Sequence, residues 1–332
     1  METSIREVAR RAGVSVGTVS NVLNRPSRVA ATTRARVLAA IDDLGFVRNE
    51  SARQLRAGRS HTLGLIVPDT RNPVFTDIAR GVEDAAAGVG LGVLLCNSAG
   101  SPGRERHALD VLEQQRVRGL LITPVGLQQD HLGRLHSRGV GLVLLDRRPL
   151  RQNRCSVRVD HELGGDIALS YLIGRGHRRF AYASGPLDGD ACQGRHRGAL
   201  RALERAGLPP ESMINLVQPE LSVSSGRLAA GTLLRMDPRP TALFCGNDLM
   251  AVGALHTLLR NGVRVPEDVA VLGYDDVELA DAAAVPLTTV RQPRAELGRI
   301  ATELVIEESE SPPGHRHRHV PLAPELVVRE SA

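Results

Sequence analysis

Tryptophan and lysine are absent from this 332-residue chain, and it carries only four phenylalanines and three tyrosines. The interior must therefore be built from alanine, valine, leucine and isoleucine, and each aromatic ring has a place worth finding. Cysteine is scarce as well. Cys96, Cys155, Cys192 and Cys245 are far apart, with no Cys-x-x-Cys spacing, so a reducing cytoplasm is the expected compartment. No uninterrupted apolar stretch approaches the roughly 20 residues that cross a bilayer. The N-terminus runs from Glu2 into a charged amphipathic segment rather than from a basic start into an apolar core, so no secretory leader is expected.

What is present is an uneven charge. Residues 1–60 hold eleven Arg against five acidic residues, whereas the rest of the chain holds 31 Arg against 32 acids. A basic headpiece is joined to a nearly neutral body long enough for one large or two medium domains.

Within the headpiece, Ser4 and Glu7 have capping-box spacing, and Ile5, Val8, Ala9 and Ala12 repeat along one helical face. This predicts a first helix over Ile5 to Ala12, ended by a left-handed Gly13. Ser15 is placed to cap a second helix running to about Asn24, with Val19, Val22 and Leu23 inward. Val16, Gly17, Ser20 and Asn21 are left facing outward. They are candidates to enter a major groove, together with Ser15 and Thr18 at the helix start and Arg25 beyond its end. A third helix is expected over about Thr32 to Leu44, turning Val37, Leu38, Ile41 and Leu44 inward and stopping at Gly45. A helical hairpin of some larger bundle would share this pattern. The cluster of Arg10, Arg11, Arg25, Arg28 and Arg34 around the second helix, where phosphates would lie, favours double-stranded DNA.

The stretch from Ile5 to Asn24, then Val29 through Phe46, then Asn49-Glu50-Ser51-Ala52-Arg53-Gln54-Leu55, resembles the headpiece of the LacI/GalR family of transcriptional regulators. The resemblance continues to the C-terminus. It implies a helix-turn-helix domain over 1–48, a hinge helix and linker over 49–60, and an effector-binding and dimerisation domain over 61–332. In the family, the segment matching Asn49 to Ala57 becomes helical only when two subunits sit side by side on operator DNA. That fits the instability of so short a helix by itself. Leu55 would then wedge into the minor groove, with Asn49, Ala52 and Arg53 beside it. This chain departs from the family in two headpiece positions: Gly17 has no side chain with which to read a base, and Ala30 stands where Ser usually caps the third helix.

From His61 onward, apolar strands alternate with helices: Thr62 to Val67, a helix from about Phe75 to Val89, Gly92 to Cys96, Gly119 to Thr123, Gly141 to Leu145, Arg179 to Ala183, Ala242 to Cys245 and Val269 to Leu272. Strands apolar throughout and separated by helices predict parallel sheets covered on both faces. The expected fold is a small all-α helix-turn-helix domain followed by α/β, with two doubly wound parallel-sheet lobes. Lobe one covers about 61–160 plus 291–320, and lobe two about 161–290 plus 321–332. Ligands in such sheets bind beyond the carboxyl ends of the strands. There the chain places Asn72, Phe75, Asp146, Arg147, Arg195, Asn247, Asp275 and Gln292, a set of amides, carboxylates and guanidinium groups suited to the hydroxyls of a polyol. Any one of these, taken singly, is more often a helix cap or turn former. The resemblance extends here to the type I periplasmic binding-protein fold, and the eight positions match the sugar-contacting residues of ribose-type binders. Val74 stands where the family commonly has a first Phe, which leaves Phe75 as the one expected stacking ring.

The run His315-Arg316-His317-Arg318-His319 is expected on an exposed strand edge rather than at a metal, and no metal or cofactor is expected. Asp275-Asp276 with Asp248 lacks an accompanying nucleophile or general acid, so no catalytic activity is expected. The sequence therefore points to a cytoplasmic homodimeric regulator, in the first instance a repressor, that binds palindromic operator DNA under control of a small sugar-like effector. A transcriptional activator or a plain sugar-binding module on the same fold are the alternatives.

Overall fold

The computed structural model describes residues 3–46, 60–126, 129–147, 153–187, 189–310 and 315–332. It divides into two compact units, Met1–Ser60 and His61–Ala332.

The first unit contains helices α1 (Ile5–Ala12), α2 (Val16–Asn24) and α3 (Ala31–Asp43). Local chemistry sets their ends. The Ser4 amide and hydroxyl both donate to the Glu7 carboxylate, at 2.6 and 2.9 Å, and hold Glu7 below the usual carboxylate range. Gly13 is left-handed, at φ 62°, and ends α1. The Ser15 hydroxyl accepts the Thr18 amide at 3.1 Å and caps α2, whereas Ala30 provides no side-chain cap for α3. Val8, Ala9, Ala12, Val19, Val22, Val37 and Ala40 close the small core. One expectation fails: Leu38 is 46% exposed, and Ala40 takes the inward place. Val37, Ala40, Ile41 and Leu44 already follow helical spacing, and Leu38 lies about 100° round the helix from Val37.

The second unit holds two six-stranded sheets. The first contains β1 (Thr62–Val67), β2 (Gly92–Asn97), β3 (Gly119–Ile122), β4 (Gly141–Leu145), β5 (Cys155–Val159) and β11 (His319–Leu322), in the order 11-5-4-3-1-2, all parallel. The second contains β6 (Phe180–Ser184), β7 (Met213–Val217), β8 (Ala242–Cys245), β9 (Ala270–Asp275), β10 (Thr288–Arg291) and β12 (Glu325–Val327), in the order 12-10-9-8-6-7, with only the edge strand β12 antiparallel. The connecting helices are α4 (Pro73–Ala87), α5 (Pro102–Gln114), α6 (Gln129–Ser137), α7 (His161–Gly174), α8 (Asp190–Arg205), α9 (Val223–Leu234), α10 (Asp248–Arg260), α11 (Glu278–Asp281) and α12 (Arg294–Glu310). The chain passes from the first lobe to the second between β5 and α7, returns between β10 and α12, and leaves again between β11 and β12. In each sheet the strand order reverses at one place, between β1 and β3 and between β6 and β8, which opens a crevice at the carboxyl ends.

Aliphatic side chains fill the first lobe, from Leu63 and Val82 to Leu145 and Val305. The scarce aromatics gather in the second, where Phe180, Tyr182, Phe244 and Tyr274 are all fully buried. Helices α7 and α8 lie unusually close. A Cβ on Gly165 would fall 1.9 Å from the Arg195 carbonyl oxygen, and one on Gly198 would fall 1.9 Å from that of Glu162. Only glycine permits this approach, which carries Arg195 inward. The strand β11 is a sheet edge with His319 exposed, but His315 and His317 on its approach are not exposed as expected; their side chains are 9% and 18% accessible and turn onto Cys155. Sequence periodicity could not show this, because Cys155 is brought to them only by the pairing of β5 with β11.

Candidate DNA-reading face and effector site

On α2, Val16, Gly17 and Asn21 are exposed and Ser20 is half-buried, with Arg25 exposed just past the helix end. Ser15 and Thr18 are occupied in building the helix start, their hydroxyls 3.0 Å apart. The Ser20 hydroxyl and carbonyl accept from the Asn24 amide at 3.2 and 2.8 Å. Of the side chains expected to enter the groove, Asn21 thus keeps its amide exposed, and Val16 presents an exposed apolar surface. Arg11 is less available to a phosphate than its sequence position suggests, because it pairs with Asp43 at 2.8 Å and ties α1 to α3. Asn49, Ala52, Arg53 and Leu55 lie outside the described residues.

In the second unit, a continuous polar chain links the two lobes. Asp146, held at φ 50° after β4, accepts the Val159 amide at 3.2 Å and faces His161 Nε2 with both carboxylate oxygens at 2.9 Å. His161 opens α7 in the second lobe, and its Nδ1 lies 3.3 Å from the Tyr274 hydroxyl. The Arg195 guanidinium sits 3.7 Å above the Tyr274 ring, donates to the Gly246 carbonyl, and has a terminal nitrogen 3.8 Å from Asp275. Asp275 in turn accepts from the Gln292 amide. Arg195, Asp275 and Gln292 are all buried. A second link crosses the lobes at the rim, where Arg147 lies 3.3 Å from Asp190 at the start of α8. Arg294 binds Asp77 of α4 at 3.0 Å and reaches the carbonyls of Asp275 and Asp276, fastening the end of β9 to the first lobe.

The electrostatics divide this set. Burial pushes Asp275 upward, against the pull of Arg195 and Gln292, and it pushes Asp248 upward still more, with the Asp275 charge adding to it. Burial also opposes charge on Asp146, but His161 outweighs it and holds Asp146 below the usual carboxylate range. Arg195 Nε has no hydrogen-bond acceptor among the described residues and so is a buried donor left unsatisfied.

Of the eight expected effector residues, Asp146, Arg195, Asp275 and Gln292 join this chain, and Arg147 flanks it. Asn247 adjoins it through Gly246, yet its amide is spent on architecture: it caps α10 through the Met250 amide at 2.9 Å and donates to Leu221 at 3.3 Å. Asn72 caps α4 through the Val74 amide at 3.1 Å, and Phe75 is half-buried against the first-lobe core, both at the carboxyl end of β1. A small cleft beside the chain is lined by Asp146, Arg158, His161, Glu162, Asp190 and Arg197 among others. His161 is the residue that sequence reasoning missed. Its one signal was a position directly after the Asp160 cap at the point where the chain changes lobes. The remaining acids are structural. Asp248 accepts from Thr289 at 2.7 Å and Val277 at 2.9 Å, and Asp276 binds Arg291 and Arg329, each at 2.7 Å.

A three-helix unit whose second helix presents an exposed face, followed by two doubly wound lobes with a polar seam, has close relatives among known proteins. The profile of bacterial regulatory proteins of the lacI family matches residues 4–49, and that of the periplasmic binding protein-like domain matches 169–332. The chain is 35% identical to the HTH-type transcriptional repressor PurR of Photobacterium profundum, over 99% of this chain and 98% of that protein. The chain belongs to the LacI family. It is 37% identical to the ribose operon repressor of Escherichia coli, over 99% of each. Among solved structures, a lac repressor dimer bound to operator and the anti-inducer ONPF superposes with a TM-score of 0.86 at 28% identity, covering 100% of this chain and 99% of that one. As a LacI-family protein it is a DNA-binding transcriptional regulator with an effector-binding domain. Among the described residues, no helix is long and apolar enough to cross a membrane.

Proposed function

We propose that this protein is a cytoplasmic repressor that binds a palindromic operator as a homodimer and is controlled by a small sugar-like effector held between its lobes. The observation that carries the effector class is the buried set Arg195, Asp275 and Gln292, with one guanidinium donor still unpartnered. Such a set matches vicinal hydroxyls, each of which donates and accepts. A purine would gain most from aromatic stacking on both ring faces. Here Phe180, Tyr182, Phe244 and Tyr274 are fully buried and the Tyr171 hydroxyl is bound to the Ala332 carbonyl, which supports half-buried Phe75 as the one ring to cover a ligand. The similarity to PurR supports the purine reading, and the similarity to the ribose operon repressor supports the sugar.

The donor set favours binding over catalysis, since the carboxylates of Asp248 and Asp276 are engaged by internal partners. An effector bridging the lobes would stabilise one lobe arrangement. If that arrangement separates the two hinge segments of a dimer, operator affinity falls, and operator DNA must weaken effector binding by the same factor.

Calorimetry of the full-length protein against pentoses, hexoses and purine bases tests the effector class; tight binding of a purine and of no sugar replaces the sugar reading. Arg195→Ala and Asp275→Ala should each retain operator binding and lose the effector response. Leu55→Ala should reduce operator affinity and DNA bending together, and unchanged bending would remove Leu55 from the wedge position.

A further inference from the structure

Four side chains of metal-ligating type converge at the foot of the first sheet, away from the polar seam. Cys155 opens β5, Glu308 stands in the last turn of α12, and His315 and His317 lie on the approach to β11. One ligand atom from each falls within 4.8 Å of all the others. Cys155 Sγ is 3.2 Å from His315 Nε2 and 3.9 Å from His317 Nδ1, and His317 Nδ1 is 4.0 Å from Glu308 Oε1. A tetrahedral ion with metal–sulfur bonds of about 2.3 Å and metal–nitrogen or metal–oxygen bonds of about 2.0–2.1 Å has ligand-to-ligand edges of roughly 3.3–3.6 Å. The observed separations therefore need only small side-chain rotations.

A second observation is independent of that clustering. The Glu308 side chain is 3% accessible and makes no well-formed hydrogen bond among the described residues, with only the Leu142 amide, the Cys155 thiol and His136 near enough to act on it. A buried carboxylate so weakly satisfied is costly, and a cation would compensate it. The Arg318 amide donates to Cys155 Sγ at 3.4 Å, and the Glu307 carboxylate, which also binds Arg318, lies 3.8 Å from His315 Nδ1, beyond hydrogen-bond length but close enough to orient the ring electrostatically. His136 Nδ1 stands 3.4 Å from Glu308, and the His136 ring centroid is 6.2 Å from that of His317.

We propose that Cys155, Glu308, His315 and His317 form a tetrahedral site for a divalent transition metal of the zinc class. One thiolate, two imidazoles and one carboxylate match the preferences of such an ion, and the two anionic ligands balance its charge. Four protein ligands leave no open position, so the site is structural. It ties the start of β5 and the end of α12 to the strand that carries the last crossover between lobes. Arg154, buried nearby, acts electrostatically on Glu308 and His317 and opposes any cation, so both anionic ligands are needed.

The test is titration of chelator-treated, full-length protein with Co2+ alone. We expect one Co2+ per chain, absorption of tetrahedral intensity, a near-ultraviolet thiolate-to-cobalt charge-transfer band, and stoichiometric displacement by Zn2+. Cys155→Ser should abolish the band and weaken binding at least tenfold, and His317→Ala should weaken it similarly, while His319→Ala leaves both unchanged. Absence of cobalt binding, or a weak spectrum without the charge-transfer band in the unaltered protein, overturns the proposal whether or not the variants fold. Binding that persists undiminished in Cys155→Ser and His317→Ala overturns it too, since it would belong to exposed histidines.

Discussion

The contact between Asp146 and His161 makes a quantitative statement about how the lobes are held. Both carboxylate oxygens lie 2.9 Å from Nε2, and the side chains are 18% and 7% accessible, so solvent screens the contact little. A hydrogen bond to a charged group in such surroundings contributes about 1.5–3 kcal/mol. Asp146→Asn keeps an oxygen for the Val159 amide, which isolates the loss to the histidine contact. His161→Ala removes the other partner and also the approach to the Tyr274 hydroxyl. A double-mutant cycle on these two changes, read by urea unfolding of effector-free protein at neutral pH, should give a coupling of about 1.5–3 kcal/mol. Asp146 is held below its ordinary value in the folded state. Its contribution is therefore complete above the ordinary carboxylate range and is lost only as the pH falls below about 4. Single-mutant losses that add to within about 0.5 kcal/mol would refute the reasoning, because residues that do not interact behave that way.

Gly165→Ala should destabilise the large domain by at least about 2 kcal/mol, since its new methyl group would meet the Arg195 carbonyl oxygen at 1.9 Å and force α7 and α8 apart. An unchanged melting temperature would contradict the close packing, and a folded variant should also bind effector more weakly through displacement of Arg195. Asp248→Asn addresses the buried acids. Asp248 is raised in the folded state by burial and then by the Asp275 charge. A raised acid costs stability once the pH exceeds its unfolded value, by up to about 1.4 kcal/mol per pH unit until the folded value is reached. The variant should therefore gain on the unaltered protein as the pH rises from about 4 toward 8; parallel stability profiles would contradict it.

Features with a local cause were legible from residue order. The Ser4 to Glu7 box, the left-handed Gly13 and the Ser15 cap define helix ends by contacts within three residues, and α1 and α2 fall where those signals place them. The buried strands β1 and β4 announce themselves by apolar runs. Strands that are polar, at an edge or very short did not: β5 carries Arg158, β7 is an edge with exposed Ile214 and Val217, and β11 and β12 are edge stretches of four and three residues. Their extended form depends on pairing with neighbours distant in sequence.

By itself the sequence determined the helical headpiece, the alternation that gives two doubly wound lobes, and which polar residues end the strands, because each follows from periodicity or a local cap. Only the tertiary structure decided what those residues do. Asn247 turned out to be a cap, His161 a bridge between lobes, and Cys155 a neighbour of two histidines 160 and 162 positions away. The physical reason is common to all three. A side chain's hydrogen-bond partners and burial are set by which strands pair and which helices pack, and those are properties of the whole chain.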